Sequence, residues 1–158
     1  MNEYSSILFE KYRTKGVIVD TNVLLLYLVG SFDPNLIRNF KRTAGFTEED
    51  FDLVNSFTNS FEMRVTTPHI LTEVSDLIGN REELHILLKE YLNFSDEKFL
   101  ESKKIAENPA FNRFGLADTA IVDTAKDSYL VFTDDGPLYN FLTNIGVDAL
   151  KLDQIRPI

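Results

Sequence analysis

The residues with the most chemical potential in this chain are acids set at the ends of apolar runs. In GVIVDTNVLLLYL, residues 16–28, the β-branched run Val17, Ile18, Val19 stops at Asp20, and apolar residues resume directly after Thr21 and Asn22. A buried, unpaired carboxylate costs several kcal/mol, so Asp20 must sit at an edge or find a partner. Glu73 lies in TPHILTEVSDLIG, where Ile70, Leu71, Val74, Leu77 and Ile78 form one apolar helical stripe. At the helical rotation per residue, Glu73 falls on the border of that stripe and looks along a groove, whereas Asp76 projects to the far side. Asp118 opens LADTAIVDTAK, a helix whose small residues Ala117, Ala120 and Ala125 permit close packing on a sheet. Asp134 and Asp135 follow the strand-like YLVFT.

Each acid alone has a structural explanation. Asp20 suits a helix N-cap, Asp118 a first turn favoured by the helix dipole, and Asp135 with Gly136-Pro137 a turn and cap. Four acids converging on one edge would repel one another, a situation tolerated when some are protonated or a cation sits among them. Oxygen ligands without His or Cys select Mg²⁺ or Mn²⁺ over zinc. Mg²⁺ bridges phosphates and keeps waters, which points to phosphodiester hydrolysis. No nucleophile–base pair stands out, in keeping with an activated water and no covalent intermediate. His69, just after Pro68, reads as a cap-region or packing residue.

The elements that must position these acids alternate between strand and helix. A short buried strand over 16–20 leads into a helix over 21–29. Asp33-Pro34 starts a helix to about Arg42, and Thr47 caps another reaching about Phe61. Residues 64–66 form a second strand, and Thr67-Pro68 opens a strong helix. Helical spacing covers 81–92 and 95–106, Asn108-Pro109 breaks it, and a helix resumes over 116–127. A strand over 129–132, a helix over 137–144 and a last strand over 147–150 complete the chain. Strands separated by helices predict a three-layer α/β/α sandwich with a central, mainly parallel sheet, whose sites lie at the carboxyl ends of its strands.

With 158 residues, the chain reads as a single domain over 1–158, and 44% hydrophobic residues make it globular. Cysteine is absent, which removes disulfides and thiolate metal sites. No apolar run approaches the roughly 20 residues of a membrane span, and MNEYSSILFEKYR lacks the layout of a signal peptide, so a cytoplasmic location is expected. A net charge of −9 argues against broad, non-specific nucleic-acid binding and suits a metal or a basic protein partner. The best local phosphate-binding candidates are Arg38, Lys41 and Arg42, with Arg38 and Arg42 sharing a helix face and Phe40 and Phe46 available to stack on bases. The competing reading is a solvated helix face over core phenylalanines. Lys98, Lys103 and Lys104 form a second cluster of the same ambiguity.

The succession VIVDTNVLL, TPHILTEV, LADTAIVDTAK and YLVFTDDGPLY resembles the PIN-domain nucleases, among them the toxin halves of bacterial toxin–antitoxin pairs and eukaryotic RNA-decay endonucleases. The resemblance covers residues from about 16 to 150. It implies a metal-dependent ribonuclease on a parallel α/β/α sheet, with the family's acids falling on Asp20, Glu73 and Asp118. The family's T-x-D motif lands on Thr133 and Asp135, with Asp134 between them where relatives often carry an amide. By the same resemblance Asn22 hydrogen-bonds near the site and holds Asp20 in its rotamer, and Thr133 orients a ligand or a water. Asp123, about 140° round the helix from Asp118, is secondary. The segment 31–64 is longer than in minimal members and reads as a clip over the site or a dimer surface, with a homodimer expected. The implied partners are an RNA substrate and an antitoxin or other basic protein inserting an Arg or Lys among the carboxylates. Two alternatives stand beside this reading. One is a catalytically lapsed PIN fold serving as an interaction module; the other is a response-regulator receiver, for which the chain lacks a middle strand ending in a suitable Asp.

Overall fold

The structure is a computed structural model that describes residues 1–157. Its centre is β1 (Val17–Val19), three β-branched residues buried on both sides. β2 (Arg64–Thr66) and β4 (Leu130–Thr133) flank it, and β3 (Ser95–Glu97) and β5 (Ala149–Lys151) form the edges, in the order β3-β2-β1-β4-β5. All neighbouring strands run parallel, in a register that pairs Val17 with Arg64 on one side and Leu130 on the other. After β1 the chain builds outward through β2 and β3, then returns to β1's other side for β4. The carboxyl ends of β1 and β4 therefore meet at the point where the winding reverses, the place where open parallel sheets form a crevice.

Helices fill the crossovers. α1 (Glu3–Tyr12) precedes the sheet, and α2 (Thr21–Phe32) follows β1 directly. α2 is apolar almost all round, with Val23, Leu24, Leu25, Leu26, Leu28 and Val29 fully buried, as expected of a helix enclosed by others. A 3₁₀ helix (Pro34–Asn39) and α3 (Glu48–Asn59) pack against it. α3 is started by a reciprocal capping box between Thr47 and Asp50, and its Phe57 meets Phe132 of β4 edge to face at 4.9 Å. α4 (Pro68–Ile78) and α5 (Glu82–Asn93) also border α2. α6 (Ser102–Ala106), α7 (Phe111–Ala125), α8 (Gly136–Asn144) and α9 (Leu152–Ile155) complete the chain. This is an α/β fold on an all-parallel five-stranded sheet, consistent with a three-layer sandwich.

Several boundaries differ from the sequence-based expectation. Residues 95–106 are not one helix: Ser95–Glu97 pair with β2 as an edge strand, and only 102–106 are helical. Ser, Asp and Glu carry no strand preference, so this strand is made by the neighbour it pairs with. The helix expected to reach Arg42 is a 3₁₀ helix ending at Asn39, because Phe40 turns extended to bury its ring. α2 runs three residues past the expected end at Val29. α7 starts at Phe111, but Gly115 (φ 77, ψ −169) breaks its backbone, so a new helical segment opens at Leu116 as expected.

Candidate functional site

Asp20 caps α2 from the end of β1. Its Oδ1 accepts the Thr21 N–H at 2.7 Å and its Oδ2 accepts the Thr133 hydroxyl at 2.6 Å, while only 4% of the residue is exposed. The carboxylate thus has the partners its burial demands. Burial pushes its pKa up to about 6; the two hydrogen bonds oppose that rise, and the charges of Asp135 and Glu73 add to it.

Thr133, fully buried at the end of β4, ties two acids together. Its Oγ1 donates to Asp20 and accepts the Asp135 N–H at 3.0 Å. Asp135 caps α8, accepting the Leu138 N–H on Oδ1 at 2.8 Å, which leaves Oδ2 free of protein donors among the described residues. The parallel register of β1 and β4 brings this about, since Val19 pairs with Phe132 and the next residues on the two chain segments, Asp20 and Thr133, come level with one another.

Asp118 sits half-buried in the first turn after the Gly115 break. Its pKa is raised to about 7, first by burial and then by the charges of Asp20, Asp135 and Glu73. Glu73 is exposed on α4 and lines a groove of about 410 Å³ with His69, Thr72, Asp76, Leu116 and Ala117, directly beside Asp118. The four acids singled out from the sequence therefore share one electrostatic neighbourhood at the carboxyl edge of the sheet.

Other expectations are redistributed. Asp134 turns away: its charged neighbours are Lys151, Asp153, Arg156 and Asp50, so Asp135 is the member of the pair that faces the acids. Asp123 is exposed and accepts from Asn108 Nδ2 at 2.7 Å. Asp76 does not project to the far side; it lines the same groove as Glu73, because residues three apart on a helix lie only about 60° from one another. The rotamer-holding role expected of Asn22 is filled by Thr21 and Thr133, and no hydrogen bond from Asn22 reaches Asp20. Arg38, Lys41 and Arg42 are exposed, but the 3₁₀ helix and its end remove the α-helical face that Arg38 and Arg42 were expected to share. Phe40 is buried beneath Arg81, which takes its ring from stacking, and Phe46 is partly buried against the core. Lys98 pairs with Asp96 at 2.6 Å, and Lys104 stands 3.7 Å from Glu107. His69, expected as a cap-region or packing residue, is the second residue of α4, and it also lines the groove one turn before Glu73, with Nε2 3.1 Å from Ser102 Oγ and Nδ1 buried without a partner. Its i, i+4 spacing from Glu73 was the available signal.

An all-oxygen, crowded donor set suits a hard divalent cation in donor type and charge. The fit does not extend to preset geometry, because among the described residues no group of three or more His, Asp or Glu side chains is placed to hold a metal ion. No helix among the described residues is long and apolar enough to cross a membrane. The chain matches no protein-family model and no curated protein sequence.

Proposed function

We propose that the protein is a Mg²⁺- or Mn²⁺-dependent endoribonuclease of the PIN type, working at the carboxyl ends of β1 and β4. The observation that carries this reading is the bridge through Thr133, whose one hydroxyl joins the Asp20 carboxylate to the Asp135 backbone. Glu73 and the residues next to Asp118 line the adjoining groove. Asp20, Asp118, Asp135 and Glu73 would together hold the divalent ion, which would supply Lewis acidity toward a phosphodiester and lower the pKa of a bound water. The chain's own part is positioning. Thr21 and Thr133 lock Asp20 in one rotamer, and the cap of α8 fixes one oxygen of Asp135 and leaves the other open. In this reading the groove beside Asp118, lined by exposed Glu73, is the path of the RNA strand.

In this reading the net charge of −9 keeps intrinsic affinity for RNA low, and a basic partner segment, such as that of an antitoxin, silences the site by placing an Arg or Lys among the acids. A homodimer belongs to the same proposal. One observation favours a second reading, a lapsed PIN fold that serves as an interaction module: the acids as placed form no ready-made cage.

The test is cleavage of single-stranded RNA with Mn²⁺, for the native chain and for Asp20→Asn. Asn keeps the shape and one of the two accepted hydrogen bonds but removes the charge, so cleavage should fall by two orders of magnitude or more (roughly, from the size of such electrostatic contributions) with the circular dichroism spectrum unchanged. Native protein that binds Mn²⁺ and cleaves no RNA or DNA selects the interaction module instead.

A further inference from the structure

A second concave site lies away from the acids, at the amino end of β2. The cavity is about 330 Å³ and is lined in part by Tyr27, Asn59, Arg64, Glu90, Tyr91 and Phe94. Its volume falls within the range of small-molecule sites. Arg64, the first residue of β2, supplies the cation. Its Nη1 donates to Asn59 Oδ1 at 3.0 Å and to Tyr27 Oη at 3.4 Å, both neutral acceptors. Nε and Nη2 have no hydrogen-bond partner among the described residues, so one full edge of the guanidinium fork stays open. No carboxylate lies within ion-pairing distance of it, in a chain with a net charge of −9.

The walls are aromatic. The Arg64 guanidinium carbon stands 5.3 Å from the centre of the Tyr91 ring and 6.0 Å from that of Phe94, and Tyr27 meets Tyr91 edge to face at 5.6 Å. Phe94 is 71% exposed, an open aromatic face beside a cation. Tyr91, by contrast, is 4% exposed.

We infer that this cavity binds a nucleoside phosphate, with the phosphate on the open fork of Arg64 and the base against Phe94. A planar fork with two free donor groups matches phosphate oxygens, and an exposed ring beside a guanidinium takes a base by stacking. Glu90 on the rim offers acceptors to ribose hydroxyls or base amino groups. The nucleotide comes either free or as one unit of an RNA strand. Binding here needs none of the four acids and no metal, so its test is independent of the nuclease proposal.

The experiment is ¹H–¹⁵N spectroscopy of the full chain in EDTA, titrated separately with AMP, adenosine, inorganic phosphate, benzoate and a short oligouridylate. AMP should shift the amides of Arg64, Tyr91 and Phe94 saturably, more tightly than adenosine, phosphate or benzoate does. Arg64→Gln should weaken AMP about tenfold or more by removing the charge-assisted contacts. Phe94→Leu, at an exposed position that leaves the fold intact, should weaken it by a smaller factor. Competition of the oligonucleotide with AMP at these amides assigns the site to an RNA strand, and AMP binding without such competition assigns it to a free nucleotide. Absence of saturable shifts at millimolar AMP, equal affinity for benzoate, or AMP affinity unchanged in both variants overturns the inference.

Discussion

Asp20 serves folding and, in the proposed function, chemistry as well. It caps α2, and the same burial that makes the cap firm raises its pKa to about 6. Asp118 is more heavily perturbed, at about 7, because it gains no side-chain cap or hydrogen bond to offset burial and the three neighbouring charges. The consequence for stability has a definite sign. The unfolded chain releases the Asp118 proton near 3.8, whereas the folded chain holds it to about 7. Between those values the native state binds the extra proton, so this residue's contribution is complete below about pH 4 and is lost as the pH rises toward 7. Asp118→Asn, which has no proton to lose, should therefore be more stable than the native chain at pH 8 in EDTA, by on the order of 2–4 kcal/mol. Near pH 4 the two should melt together. Melting curves at the two pH values decide the matter, and a variant equally stable or less stable at pH 8 contradicts the crowding.

At the scale of elements, two glycines do work that their neighbours depend on. Gly115 takes a positive φ that splits α7, which puts Asp118 in the first turn of the second segment instead of mid-helix. Gly30 lies inside α2, where a Cβ would overlap the ring of Phe51 on α3. Gly30 lies one residue past the helix end expected at Val29, and its missing side chain is what lets α3 approach. Gly30→Ala should cost about 1–3 kcal/mol by overpacking. Adding Phe51→Ala should recover part of that loss, since the overlapping ring is gone. Urea denaturation of the single and double variants measures the coupling, and a neutral Gly30→Ala would show that α3 can shift without cost.

For the molecule as a whole, the proposed site opposes an acidic background. Four carboxylates at one edge of a chain carrying −9 gain from any divalent ion that binds the native state alone. At a hundredfold excess over its dissociation constant such an ion adds about 2.7 kcal/mol, or roughly 5–10 °C in melting temperature for a domain of this size. Mn²⁺ should raise the melting temperature at pH 8 more than near pH 5, where Asp118 and Asp20 hold protons. Calorimetry at both pH values is sufficient, and a flat response across millimolar Mn²⁺ counts against metal binding at this edge.

Much of this architecture was legible along the chain. The β-branched run ending at Asp20, the Thr67-Pro68 start of α4 and the YLVFT strand are local patterns with local causes, and each formed close to where its residues imply. The strand order, and with it the meeting of β1 and β4, follows only from tertiary packing, because pairing joins residues more than a hundred positions apart. The same holds for Ser95–Glu97, whose side chains favour no strand, and for Thr133, which holds Asp20 in the place expected of Asn22. Backbone preference and apolar periodicity act within a few residues and can be read from one end of the chain to the other. Which acid faces which, and how far each pKa moves, depends on burial and distance, and those exist only once the chain has folded.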